Sequence, residues 1–134
     1  TIYTDGAARG NPGPAGAGVV FLDSAGEVVD EIYHYLGDMT NNQAEYRALL
    51  LALERANELG AAKIQIFADS ELMVCQLNGE YRVKNEGLKP LFEEITRRLQ
   101  NVGDYIIDHI PREQNKHADR LANEAIDAAK KTKR

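Results

Sequence analysis

Near Asn41 the spacing of apolar residues along this chain changes from every second position to every third or fourth, and this change restricts the fold more than any other feature. Before it, short β-like runs alternate with turn signals: Thr1 to Thr4, a glycine- and proline-rich stretch from Gly6 to Pro14, Ala17 to Leu22, a turn over Asp23 to Gly26, then Glu27 to Leu36. That pattern predicts an antiparallel meander. After it, Ala44, Ala48, Leu49, Ala52, Leu53 and Ala56 recur at helical spacing within Asn41 to Leu59, and Gly60 is placed to stop the helix.

The remainder alternates the two periods. Lys63 to Ala68 reads as a short buried strand, and Asp69 or Ser70 can cap a helix running to about Leu77. Leu88, Leu91, Phe92, Ile95 and Leu99 mark another helix, in which Pro90 is tolerable only in the first turn. A strand follows over Tyr105 to Ile110. Pro111 breaks it, Asn115 can cap, and Ala118, Leu121, Ala122, Ala125, Ile126 and Ala129 form the stripe of a last helix. The resulting order, β-β-β-α-β-α-α-β-α, predicts an α/β fold in which a mixed sheet of five strands is flanked by helices, with hairpins first and right-handed crossovers later.

A chain of 134 residues can bury one ordinary core, so residues 1–134 are read as a single domain. No run approaches the roughly 20 apolar residues that span a bilayer, and the amino end lacks a basic stretch followed by an apolar one. A soluble, cytoplasmic monomer is the expectation. The single Cys75 has no second thiol for a disulfide or zinc site and is read as a small core residue. A net charge of -5 argues against gripping nucleic acid by charge alone, although bound divalent ions reverse the local field around acids and attract phosphate. Lys130, Lys131, Lys133 and Arg134 are read as a solvated helix end.

Four acids occupy positions that are costly for a charge. Glu45 shares its stripe with Ala48, Leu49, Ala52 and Leu53, and Asp119 sits above Ala122 and Ile126 on the last helix. Asp5 follows the apolar start of the first strand, while Asp69 closes the run Ile64, Ile66, Phe67, Ala68. Any one of these could be a cap, a dipole partner or a solvated acid. Together they would each cost stability if buried without a compensating cation, and a shared pair of divalent ions would settle all four charges. Oxygen-only ligation favours Mg²⁺, with Mn²⁺ as substitute, over zinc.

The string TDGAARGNPGP from Thr4 to Pro14, TNNQAEYRALLLAL from Thr40, FADSELMV from Phe67 and IPREQNKHADRLAN from Ile110 closely resemble, in the same order, the type 1 ribonucleases H. The resemblance implies the ribonuclease H fold and puts the metal-binding carboxylates on Asp5, Glu45, Asp69 and Asp119. It implies a two-metal-ion hydrolysis of the RNA strand of an RNA–DNA hybrid, leaving 5'-phosphate and 3'-hydroxyl ends. It places Gly10, Asn11, Asn41 and Asn42 along the minor groove, where 2'-hydroxyls distinguish RNA, and Thr40 and Asn85 on a phosphate of the DNA strand. Gly6, Ser70 and Asn115 complete the candidate substrate contacts.

Two departures from the best-known bacterial pattern stand out. GEYRVKNEGL, from Gly79 to Leu88, has no inserted helix rich in Lys and Trp, so substrate binding is expected to be weaker or more salt-sensitive. The loop before the last carboxylate reads PREQN and carries no histidine; Arg112 is the preferred candidate to assist there, with His109 as competitor and no role assigned to His34 or His117. Arginine stays charged and cannot shuttle protons. Other readings remain: a hybrid-binding module that does not cut, a ribonuclease H domain of a larger polypeptide, and an enzyme that also accepts double-stranded RNA.

Overall fold

A computed structural model describes residues 1–132. Lys133 and Arg134 of the basic tail lie outside the described residues. In chain order the elements are β1 (Ile2–Ala8), β2 (Gly13–Leu22), β3 (Val28–Met39), α1 (Asn41–Glu58), β4 (Lys63–Ala68), α2 (Glu71–Leu77), α3 (Lys89–Val102), β5 (Asp104–His109), a 3₁₀ turn (Arg112–Gln114) and α4 (Lys116–Thr132). The five strands lie in the order β3-β2-β1-β4-β5, with β1, β2 and β3 antiparallel and β1, β4 and β5 parallel. This is the architecture predicted from the change of period.

Alternate residues of β2 enter different cores. Val19 and Phe21 join Tyr46, Leu49 and Leu53 of α1 with Ile95 and Leu99 of α3, whereas Val20 packs with Ala118 and Leu121 of α4. Since successive side chains of a strand point to opposite faces, α1 and α4 cover opposite faces of the sheet. A residue buried on both sides cannot alternate with polar ones, which is why β2 carries Ala15, Ala17, Val19, Val20 and Phe21 almost unbroken.

The first two strands run further than the turn signals suggested: β1 continues past Thr4 to Ala8, and β2 begins at Gly13 instead of Ala17. The glycines there serve helix packing. A Cβ added at Gly6 would lie 2.2 Å from the backbone carbonyl of Ala44, one at Gly16 2.3 Å from the Ala122 oxygen, and one at Gly18 2.0 Å from the Ala118 oxygen. The true turn is Arg9 to Pro12, closed by the Arg9 N–H on the Pro14 carbonyl at 2.8 Å, with Gly10 at φ +113°.

Two helix starts place candidate residues. Thr40 caps α1 through a reciprocal pair with Gln43: the Thr40 hydroxyl accepts from the Gln43 N–H at 3.2 Å, and the Gln43 side chain accepts from the Thr40 N–H at 3.0 Å. At α2 it is Ser70 that caps, accepting from the Met73 N–H at 3.2 Å, which leaves the Asp69 carboxylate uncommitted to the helix. Asn115 does not cap α4 through its side chain, contrary to expectation; that side chain turns toward β1. Between α2 and α3 the chain is irregular, as its lack of a helical pattern predicted. Cys75 is half-buried rather than enclosed in the core. No helix among the described residues is long and apolar enough to cross a membrane.

Candidate active site

Parallel pairing of β1 with β4 brings the first two acids together. Thr4 is in register with Ala68, so Asp5, midway along β1, and Asp69, just past the end of β4, stand level on adjacent strands. Glu45 reaches them from the first turns of α1, which can approach this closely because Gly6 has no side chain. One carboxylate oxygen from each of Asp5, Glu45 and Asp69 lies within 4.8 Å of the others.

Few donors offset this charge. The Gly6 N–H donates to Glu45 Oε1 at 2.6 Å, and Asn115 Nδ2 donates to Asp69 Oδ2 at 3.2 Å as well as to the Thr4 carbonyl at 2.8 Å. Asp5 and Glu45 are only 4% and 3% exposed. Burial pushes the Asp5 carboxyl far above the usual carboxylate range, reinforced by the charges of Glu45 and Asp69 and by contact with Asp119. Burial likewise raises Glu45, aided by Asp69 and opposed by the Gly6 N–H. A divalent cation would reverse all of these effects.

Asp119 stands at the edge of this cluster. Its side chain is 30% exposed, so the inward stripe position read from the sequence leaves it partly in solvent, and it meets the cluster through Asp5 without joining the three-oxygen group. Arg112 Nη2 lies 3.8 Å from Asp119 Oδ1, but the Arg112 side chain is 79% exposed, so the pairing is heavily screened. The cluster opens to solvent through a cavity of about 260 Å³ lined by Asp5, Gly6, Asn41, Glu45, Asp69 and Arg112, among others. A larger cleft of about 610 Å³ lies across the sheet near Thr1, Leu59 and Ile106, away from all four acids.

The other candidates fall into two groups. Gly10, Asn11, Asn41 and Asn42 are exposed along one rim, tied together by the Asn41 N–H on Asn11 Oδ1 at 3.1 Å and the Ala8 N–H on Asn41 Oδ1 at 3.3 Å. Thr40 is tied up with Gln43 in the α1 cap, and both Gln43 and the exposed Asn85 approach Gly87. Gly6 and Asn115 are buried, however, and bond to Glu45 and Asp69. These bonds to acids join residues 39 and 46 positions apart, and no local signal in the sequence marked them. His109 is exposed on β5, and His117 pairs with Glu31 of β3.

The buried, mutually repelling acids give a testable pH response. Folded values raised above the ordinary 3.8 and 4.5 mean that Asp5 and Glu45 contribute stability that is fully present below about pH 4 and is lost as pH rises through the elevated range. In EDTA the melting temperature should therefore decline from pH 5 to pH 9. A divalent cation at about 100 times its dissociation constant should add about 2.7 kcal/mol of stability, raising the melting temperature by roughly 10 °C. Coincident melting curves with and without Mg²⁺ at every pH would contradict this.

Residues 3–125 match the family model for reverse transcriptase-like proteins. The chain is similar to a solved ribonuclease H1 named LC11, determined in complex with an RNA/DNA hybrid, at 47% identity and a TM-score of 0.92 over 96% of both chains. The chain belongs to the ribonuclease H family. It is also similar to a ribonuclease HI of Halobacterium salinarum, 43% identical over 95% of this chain, and to a bifunctional protein of Mycobacterium tuberculosis, 41% identical over 96% of it. It spans 64% of the length of the first and 35% of the second. The fold described above, with antiparallel β1 to β3 continued by parallel β4 and β5, is thus the ribonuclease H fold.

Proposed function

We propose that residues 1–134 form one catalytic unit that hydrolyses the RNA strand of RNA–DNA hybrids, using Asp5, Glu45, Asp69 and Asp119 to hold Mg²⁺, or Mn²⁺ in its place. The observation that carries this reading is the group of three carboxylates gathered within 4.8 Å where α1 meets β1 and the end of β4, with neutral donors, the Gly6 N–H and Asn115 Nδ2, on Glu45 and Asp69. All-oxygen donors suit a hard divalent ion. Two such ions would supply an activated water and charge stabilisation for the departing 3'-oxygen, leaving a 5'-phosphate.

The chain's own residues do the positioning. Asp5, between Glu45, Asp69 and Asp119, is the shared carboxylate. The Gly6 N–H fixes Glu45, whose position under the Asn41 rim also suits contact with an RNA 2'-hydroxyl. Along that rim Gly10, Asn11, Asn41 and Asn42 read a shallow minor groove. The phosphate contact on the DNA strand is supported by how donors are spent: Thr40 Oγ1 already accepts from Gln43 and Asn85 Oδ1 accepts from the Gly87 N–H at 2.7 Å, so the hydroxyl proton and the amide NH₂ are left to donate. Ser70 lines the cavity beside Asp69.

Arg112, at the cavity mouth, is a permanent cation suited to drawing away the cleaved phosphate. Arg112→Ala should lower turnover tenfold or more, roughly 1.4 kcal/mol, with His109→Ala within about twofold of wild type. The reverse pattern in steady-state rates would reassign the role to His109.

The reading is tested by incubating labelled RNA–DNA hybrid, double-stranded RNA and double-stranded DNA with the protein in Mg²⁺, in Mn²⁺ and in EDTA, then analysing the product ends. Metal-dependent cleavage of the hybrid to 5'-phosphate ends is the expected result. Double-stranded RNA in the panel decides the breadth of substrate. Hybrid that is bound but never cut would support the non-cleaving module instead.

A further inference from the structure

Asp119 is the only one of the four acids outside the three-oxygen group, and the side chains of Asn123 and Arg9 hold it there. Asn123, one turn further along α4, donates from Nδ2 to the Asp119 carbonyl at 3.0 Å and, at a long 3.4 Å, to Asp119 Oδ1. Arg9, in the β1–β2 turn, donates from Nη2 to Asn123 Oδ1 at 3.1 Å and to the Asn123 carbonyl at 3.4 Å, and from Nη1 to Asp127 Oδ1 at 2.6 Å.

The chemistry of these groups fixes their order. A guanidinium has only donors, so Asn123 must present its oxygen to Arg9, and its NH₂ must then face Asp119. Without Arg9 the Asn123 oxygen loses the donor that fixes it, and the NH₂ is held against Asp119 less firmly. Asn123 is also uncharged. It orients the carboxylate without cancelling its charge, unlike Arg112, which approaches the same oxygen from the exposed side.

We infer that Arg9 and Asn123 are positioning residues for Asp119, Arg9 acting through Asn123 to set the carboxylate for a divalent cation. This rests on the reading of Asp119 as a metal-binding acid. Because Arg9 belongs to the turn that carries Gly10 and Asn11, the same contact joins the minor-groove rim to the metal-binding acids.

The test is calorimetric titration of Mn²⁺ into the full chain without nucleic acid, for wild type, Arg9→Ala, Arg9→Lys, Asn123→Ala and the Arg9→Ala/Asn123→Ala double variant. Each single alanine variant should weaken Mn²⁺ binding three- to tenfold, and the double should be no weaker than Asn123→Ala alone, since both act on one contact. Arg9→Lys should behave like Arg9→Ala, because one ammonium cannot span Asp127 and Asn123 in the planar fork. In steady-state hybrid cleavage Asn123→Ala should lower kcat with KM within about twofold. Lower melting temperatures with unchanged Mn²⁺ affinity and kcat would make the contact purely structural and overturn the inference. Additive losses in the double variant would show that Arg9 does not act through Asn123. If the wild type binds Mn²⁺ in this pattern yet leaves hybrid intact, the proposed activity fails and the inference stands; no Mn²⁺ binding by the wild type defeats both.

Discussion

Asp5→Asn should abolish hybrid cleavage in Mg²⁺, lowering the rate at least about a thousandfold, roughly 4 kcal/mol of barrier, while making the protein more stable in EDTA. The two effects have one cause. Asp5 is 4% exposed and faces Glu45, Asp69 and Asp119, so its charge is tolerable in the folded protein only when protonated or opposed by a cation. A neutral amide removes that repulsion, and the metal-free protein should gain about 1–2 kcal/mol of stability, raising its melting temperature by on the order of 4–8 °C. It also removes the carboxylate that the other acids share. Added Mg²⁺ should then give little further stabilisation. Rate assays paired with thermal melts in EDTA and in Mg²⁺ check both halves. Retained cleavage with native-like melting would refute the assignment.

Gly6→Ala should combine a large loss of stability with a large loss of activity. The added methyl would sit 2.2 Å from the Ala44 carbonyl carbon and oxygen and 2.4 Å from the Glu45 N, all backbone atoms that cannot rotate away. Only a shift of α1 against the sheet can relieve this, which costs about 3 kcal/mol or more. That shift also breaks the 2.6 Å bond between the Gly6 N–H and Glu45 Oε1, so cleavage should fall at least tenfold even below the melting transition. Gly26→Ala is the comparison: the position has φ +83° but open space, so it should cost only about 1 kcal/mol and leave the rate unchanged. Denaturant unfolding and cleavage rates on both variants would show it. A Gly6→Ala protein as stable as Gly26→Ala would mean that α1 does not pack as described.

Element types were legible because the period of apolar residues changes with secondary structure, and that signal is local. The glycines were harder. Gly6 reads locally as a turn residue and Gly16 falls between a turn and a strand, but with Gly18 they sit in strands against helix backbones from 38 or more positions away, as the Gly6–Ala44 contact shows. Distant partners leave no trace in a short window. Of the acids, Glu45 was marked by its apolar stripe and is buried as that stripe implied. Asp119 lay on a similar stripe, but its side chain is 30% exposed although the adjacent Ala118 is fully buried. Ser70 rather than Asp69 caps α2, a choice between adjacent capping residues that propensity alone does not make. The tie from Asn115 to Asp69 joins residues 46 positions apart and required the fold.

The direct measurement is anomalous diffraction from crystals soaked in Mn²⁺. The expected result is a peak among Asp5, Glu45 and Asp69, with carboxylate oxygens at roughly 2.1 Å, absent from Asp5→Asn crystals. A map without that peak, or with an arginine or lysine side chain turned in among the three carboxylates, would contradict the proposal that these acids are held together for a divalent cation.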